Sequence, residues 1–198
     1  MVNGSTAVLD RRAVVARLLA DRGDTLVVTG LGSPTYDVHA AGDHAANYYL
    51  WGAMGGAALV GLGLAIARPE RRVLVITGDG EQLMALGGLA TIAVTRPTNL
   101  DIVVLDNQHY GETGMQTSHT GLGLDIAAVA AACGFADART VRTDDELDGL
   151  IGDLTLGALG PRLAVCKIRA ENLPRSMPVR DATFVKNRLR GHLGLAPN

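Results

Sequence analysis

The sequence predicts an α/β fold: a single three-layer domain, its parallel sheet covered by helices on both faces. Three observations carry this reading. Apolar runs at Val73 to Thr77, Leu100 to Leu105 and Leu163 to Ile168 read as strands. Helix-like stretches separate them, and strand–helix alternation predicts a parallel sheet. The 198 residues include 25 glycines, aromatics at only 4% and 47% hydrophobic residues, a composition suited to helices packed closely on a sheet. That length bounds one domain with a proper core.

Taken in order, Asp10 can cap a helix running through Ala20, in which Asp10, Arg11, Arg17 and Asp21 sit among periodic apolar positions. Leu26 to Thr29 reads as the first strand. Gly30 to Asn47 is rich in turn formers and reads as a loop. Tyr48 to Ala67 has no charge and five glycines, with Gly52 and Gly56 at GxxxG spacing, and its length alone admits a membrane span. The glycines and the tight link from Arg68 to Arg72 into the next strand favour a buried Gly/Ala-rich helix, packed on the sheet or on a partner. The Val73 strand, a helix around Gln82 to Val94 and the Leu100 strand follow. Asp125 caps a helix to Cys133, and Arg139 to Val141 is a short strand. Thr143 caps a helix whose acidic opening, Asp144-Asp145-Glu146, suits a helix start. Leu163 to Ile168 is the last strand. Residues 1–170 show no repeat and no boundary. Residues 171–198 read as a basic C-terminal arm rather than a separate domain, with six Arg or Lys against two acids between Arg169 and Arg190.

Charge and cysteine usage exclude several classes. A net charge of −2 gives no general attraction to nucleic acid or an anionic membrane. Cys133 and Cys166 lie far apart in apolar segments and read as buried thiols of a reducing compartment, so a cytoplasmic location is expected. Met1 to Asp10 lacks the basic and apolar regions of a signal peptide. Gly30-Leu31-Gly32 and Gly61-Leu62-Gly63 each open like a dinucleotide fingerprint. Ile66 occupies the third small position of one, and Pro34 follows the other with no strand–turn–helix expected around it. Neither supports a nicotinamide site.

The informative motif is Gly78-Asp79-Gly80, with Asn107 placed 28 residues later. Each follows an apolar run. Two parallel strands bring Asp79 and Asn107 to the carboxyl edge of the sheet, where open α/β sheets bind ligands. A carboxylate and an amide oxygen are hard donors suited to Mg²⁺, which is commonly held by one or two protein groups together with substrate phosphates. Glycines on either side let backbone N–H groups approach a diphosphate.

This pattern resembles the cofactor signature of thiamine-diphosphate (ThDP) enzymes, over about residues 25 to 170. The resemblance implies that Asp79 and Asn107 hold Mg²⁺ through their side chains, with the carbonyl of His109 as a third ligand. It implies a cofactor-binding stretch of Gly78, Asp79, Gly80 and Glu81. Trp51 to Gly56 resembles the Gly-Ser-Met-Gly stretch of the decarboxylase branch, making Gly52, Ala53 and Met54 candidate cofactor contacts. Tyr110, Gly111, Thr113, Gly114 and Gln116, with Thr117 after them, resemble the Tyr-Gly-x-Thr-Gly-x-Gln stretch of sulfopyruvate and phosphonopyruvate decarboxylases. That long irregular segment follows a ligand-bearing strand, as functional loops do. Tyr110, Gly111, Glu112 and Thr113 are expected to close over the diphosphate, and Gln116 to shape the substrate side. Glu112 is a solvated loop residue or a proton carrier. His44 and His119 are candidate catalytic groups, with His39 open to the same role. Arg175 and Arg180 are candidate anion contacts, because guanidinium pairs well with carboxylate, sulfonate or phosphonate.

The same resemblance implies a missing half. Complete ThDP decarboxylases carry a second α/β domain whose Glu activates the cofactor. Before the Gly-rich segment this chain has Asp10, Asp21, Asp24, Asp37 and Asp43 but no Glu. The expectation is therefore a β subunit of a split 2-oxo acid decarboxylase, with an α subunit supplying that Glu, a homodimer of this chain, and a small anionic 2-oxo acid as substrate. A ThDP-dependent carboligase subunit and a non-catalytic ThDP-binding or regulatory subunit are the alternatives. Ferredoxin-linked oxo-acid oxidoreductases are disfavoured because no cysteine cluster is present.

Overall fold

The computed structural model describes residues 8–156 and 160–196. Residues 1–7, over which no signal peptide is expected, lie outside the described residues. The chain opens with helix α1 (Arg11–Leu19), capped by Asp10, whose carboxylate accepts the Ala13 N–H at 2.8 Å. Strand β1 (Leu26–Thr29), helix α2 (Ser33–Ala40) and strand β2 (Asn47–Tyr49) follow. Then come α3 (Ala57–Ala67), β3 (Val73–Gly78), α4 (Asp79–Met84), α5 (Gly88–Thr95) and β4 (Leu100–Asp106). A short hairpin of β5 (His109–Tyr110) and β6 (Gln116–Thr117) leads to α6 (Ile126–Cys133) and β7 (Asp137–Val141). Helix α7 (Asp144–Leu156), β8 (Arg162–Lys167) and α8 (Ala182–His192) complete it.

Six strands form one sheet in the order β2-β1-β3-β4-β8-β7, every pair parallel. The expected fold class is found. Alternate strand residues divide the core between the two faces. Val28, Val75, Ile102 and Val165 pack with α3, α5 and α6, whereas Val27, Ile76, Val103 and Cys166 pack with α1 and α7. Both faces are apolar because both are covered. Helix α3 approaches the sheet closely. A Cβ on Gly61 would lie 2.3 Å from Val75 Cγ2 and 3.3 Å from the Leu100 side chain.

The structure corrects several expected elements. The segment Gly30 to Asn47 is not a loop throughout, since α2 occupies its middle. Pro34 sits in the first turn of α2, where proline suits a helix because no intrahelical partner is needed for its nitrogen. The uncharged stretch from Tyr48 is not one helix. Gly52, Ala53 and Gly55 all have positive φ, which no α-helix accepts, so α3 begins only at Ala57. No helix among the described residues is long and apolar enough to cross a membrane. The helix expected over Gln82 to Val94 is two helices, broken at Ala85, whose φ of −124° leaves the helical region. The strand expected from Arg139 begins at Asp137. Cys166 is buried, but Cys133 is only half-buried, at the solvent end of α6. Within the C-terminal segment, Asp181 caps an unexpected helix by accepting the N–H groups of Thr183 and Phe184. Val185 and Leu189, one turn apart, seal it over β2.

Gly61→Ala is expected to destabilise the chain by about 1–3 kcal/mol, since a methyl there overpacks a helix–sheet contact with no void to receive it. Urea denaturation should show a lower midpoint at unchanged m.

Candidate cofactor and active site

The sheet's connections reverse between β1 and β3. The chain leaves β1 toward β2 on one side, and leaves β3 toward β4 on the other. Such a switch point opens a crevice at the carboxyl ends of the strands. Register completes it. Gly78 pairs with Leu105, so β3 and β4 end level, and Asp79 emerges beside Asp106 and Asn107. A cavity of about 370 Å³ fills this crevice. Its walls come from the loop after β1 and the start of α2 (Leu31, Gly32, Ser33, Pro34), from Gly78 to Glu81, and from Asn107 and His109 to Thr113. Met54, Leu83, Met84, Leu105, His119, Arg11 and Ile168 complete the lining.

Asp79 is only 2% exposed. Burial pushes its carboxyl above the usual range, opposed by a hydrogen bond from the Ser118 hydroxyl; the neighbouring charge of Asp106 pushes the same way as burial. Thr120 Oγ1 lies 3.1 Å from Asp79 Oδ2 and 2.8 Å from Asp106 Oδ1. Asp106 accepts the Gln108 N–H at 2.9 Å and pairs with Lys167 from β8. Asn107 Oδ1 accepts the His109 N–H at 2.9 Å, which fixes the amide while leaving a second lone pair. Gln108 between them has a φ of 63°, a left-handed kink that turns the chain sharply after β4. Ala53 on the facing loop is likewise left-handed, at 47°. Non-glycine residues held there cost about 1–2 kcal/mol each.

Glu81 ties three segments together. Burial raises its carboxyl, opposed first by the hydrogen bond from the Leu31 N–H and then by the nearby backbone of Gly55, just before α3. The Leu31 N–H donates to Oε2 at 2.6 Å. Gly30 makes room for it: a Cβ there would lie 1.7 Å from Oε2. Gly80 has a comparable duty. A Cβ would come within 2.9 Å of the Tyr110 ring, so the missing side chain lets Tyr110 pack against the turn. The Tyr110 hydroxyl in turn meets His119 Nδ1 at 2.9 Å.

The structure therefore gathers Met54, Gly78, Asp79, Gly80, Glu81, Asn107, His109, Tyr110, Gly111, Glu112, Thr113 and His119 around one cavity. Gly52 and Ala53 lie on the loop that carries Met54, outside the lining. Gln116 is exposed on β6, with its amide donating to the Thr113 carbonyl. Arg175 meets Glu112 at 2.8 Å and lies over the Tyr36 ring at the rim. Arg180 lies over Trp51 instead. His44 is not brought to the cavity. It precedes β2, at the amino edge of the sheet, where it packs against His192 of α8 and accepts the Ala46 N–H. His39, on α2, is held by Ser176. The turn Gly30-Leu31-Gly32, set aside for want of a strand–turn–helix unit, does lie between β1 and α2 and walls the cavity. Sequence reasoning also missed Ser118, Thr120 and Lys167. Their signal was only a polar loop and a basic residue at a strand end.

Among the described residues no three His, Cys, Asp or Glu side chains converge as a metal cluster. The donor set here is of another kind: one buried carboxylate, one amide oxygen and neighbouring backbone. Hard oxygen donors of that sort fit Mg²⁺ better than Zn²⁺ or an iron–sulfur centre. The under-compensated Asp79 also fits a cation, because a positive charge there offsets the cost of its burial.

A doubly wound sheet presenting oxygen donors at its switch point defines a ligand-binding α/β domain. The chain belongs to the thiamine pyrophosphate enzyme family, whose C-terminal TPP binding domain matches residues 30–163. It is 40% identical over 173 residues to the sulfopyruvate decarboxylase subunit beta of Methanothermobacter thermautotrophicus, covering 87% of this chain and 88% of that one. It is 41% identical over 166 residues to the phosphonopyruvate decarboxylase of Streptomyces viridochromogenes, covering 82% of this chain but 41% of that one. A thiamin diphosphate-dependent enzyme from Mycobacterium smegmatis superposes with a TM-score of 0.71 at 26% identity, over 84% of this chain and 33% of that one. Benzoylformate decarboxylase from Polynucleobacter necessarius shares the fold, with a TM-score of 0.70 at 23% identity over 88% of this chain and 36% of that one.

Gly30→Ala is expected to force the Glu81 carboxylate out of its seat, at a cost of about 1–3 kcal/mol. Removing the obstacle in Glu81→Ala should relieve most of that penalty. A double-mutant cycle by chemical denaturation should thus give a coupling of about 1 kcal/mol or more, whereas simple additivity contradicts the contact.

Proposed function

We propose that this chain is the β subunit of a split ThDP-dependent decarboxylase acting on a small anionic 2-oxo acid of the sulfopyruvate or phosphonopyruvate type. We assign the Mg-diphosphate-binding body to residues 1–170 and a C-terminal arm to residues 171–198, whose helix α8 packs back on β2. The observation that carries this reading is the emergence of Asp79 and Asn107 side by side at the carboxyl edge, next to the switch point, in a chain similar in sequence to sulfopyruvate decarboxylase β subunits. When bound, ThDP supplies the electron sink that lets carbon dioxide leave a 2-oxo acid. Asp79, Asn107 and the His109 carbonyl hold Mg²⁺. Gly78, Gly80 and Glu81, with Gly111, Glu112 and Thr113, seat the diphosphate against backbone. Gly52, Ala53 and Met54 carry the facing wall, and Tyr110 braces the turn. His119 holds or passes a proton at its ring, fixed by Tyr110. Gln116 and Arg175 face the acidic end of the substrate; Arg180 supports that rim through Trp51. An α subunit brings the activating Glu.

A dimer of this chain is supported by exposed Leu59 and Ile66 on α3 and Val94 on the adjoining α5, an apolar surface that a partner can cover. Cys133 and Cys166 form no disulfide with each other, which is consistent with work in a reducing compartment such as the cytoplasm.

Asp79→Ala and Asn107→Ala are each expected to weaken Mg·ThDP binding to the assembled enzyme by well over tenfold, about 1.4 kcal/mol. Unchanged affinity by calorimetric titration sinks the assignment. The purified chain alone, given ThDP and Mg²⁺, is expected to decarboxylate no 2-oxo acid at a useful rate, with turnover restored by the α subunit. Fast turnover without it contradicts the split reading. Product analysis with and without an acceptor aldehyde separates decarboxylation from carboligation.

A further inference from the structure

The irregular loop after β5 does more than border the cavity. Ser118 and Thr120, at its far end, are buried, and both hydroxyls fall on the same oxygen of Asp79. Ser118 donates to Oδ2, and Thr120 Oγ1 lies 3.1 Å from it. Oδ1 receives neither hydroxyl.

The clamp is itself held. The Ser118 N–H donates to the Gln108 carbonyl at 2.8 Å, which pins the loop to the kink beside Asn107. The two hydroxyls touch at 2.9 Å. Thr120 also reaches Asp106, whose other oxygen pairs with Lys167. Thr120 has one hydroxyl hydrogen and two carboxylates within reach, so it donates to one at a time. Ser118 donates to Asp79, and Thr120 supplements it. Turning the carboxylate to present both oxygens to one ion would pull Oδ2 away from these hydroxyls, at about 1–3 kcal/mol for each buried polar group left unpaired.

We infer that Ser118 and Thr120 are positioning residues that make Asp79 a one-oxygen ligand, and so favour a small octahedral cation such as Mg²⁺ over a larger one such as Ca²⁺. Ca²⁺ takes six to eight oxygens and commonly uses both oxygens of a carboxylate, whereas Mg²⁺ keeps strict octahedral geometry. The inference rests on the reading of Asp79 as a cation ligand.

The test titrates Mg²⁺ and Ca²⁺ separately, with ThDP, into the enzyme assembled from this chain and its α subunit, by calorimetry, for wild type, Ser118→Ala, Thr120→Val, Thr120→Ser and Asp79→Ala. Loss of outer hydrogen-bond partners typically weakens metal binding 10–100-fold. Ser118→Ala and Thr120→Val are expected to weaken Mg²⁺ at least tenfold and Ca²⁺ less, which narrows the Mg²⁺/Ca²⁺ ratio. Ser118→Ala should show the larger effect. Thr120→Ser keeps the hydroxyl and should keep the wild-type ratio. If Ser118→Ala fails to fold, the Thr120→Val and Thr120→Ser pair decides alone. An unchanged ratio in Thr120→Val overturns the inference, even if its melting temperature falls, because that pattern marks a structural role only. Asp79→Ala should lose both ions. If it binds them as wild type does, or if wild type binds neither, the cation reading itself fails.

Discussion

The level ending of β3 and β4 is the constraint on which the site depends. Parallel pairing sets Gly78 opposite Leu105, and the next residues on each strand leave the sheet together. A shift of one residue would turn the alternating side chains to the wrong faces, exchanging Val75 and Ile76 between the two cores. Register is therefore held by burial on both faces rather than by the turn residues themselves. The polar groups at the edge take their places from a decision made in the apolar interior.

The two ends of the sheet treat buried carboxylates differently. At the amino edge Asp101 is met by Arg162 at 2.7 Å and Arg72 at 3.4 Å. That charge is matched by cations and has a structural duty. At the carboxyl edge Asp79, Asp106 and Glu81 are buried with Lys167 as the cation paired among them. Negative charge gathered where ligands enter is a common mark of function, because uncompensated burial has to be offset by something that binds. The segment after β8 borders the same edge. Arg12 donates to the Pro174 carbonyl, and Trp51 Nε1 to that of Val179 at 3.0 Å, so the chain crosses outside α2 before α8 closes the β2 side.

Strands and ligand positions were legible where the signal was local. The apolar runs from Val73 and Leu100 announce strands, and the Gly-Asp-Gly turn with its distant Asn needs only parallel pairing to make sense. What escaped was set by three-dimensional contact. Pro34 looked like a break but opens α2, because a nitrogen in the first turn needs no intrahelical partner. Tyr48 looked helical by composition, yet β1 claims it as an edge strand. The helix after Asp181 was hidden by basic residues, although the Asp181 cap and the Val185/Leu189 spacing were there to be read. His44 stood in a promising loop, but the loop lies at the far end of β2. Ser118 and Thr120 have no fixed spacing to Asp79, so only the folded loop could bring them to it.

The left-handed residues Ala53 and Gln108 bear on how the cavity wall is held. Both belong to loops that wall the cavity, while the strands behind them are buried on both faces. A costly backbone state persists only where the surrounding structure holds it, so each of these turns depends on the bonds and strands at its base. The kink at Gln108 is not left to itself, because the Ser118 N–H donates to its carbonyl and ties the strained turn to the buried end of the loop.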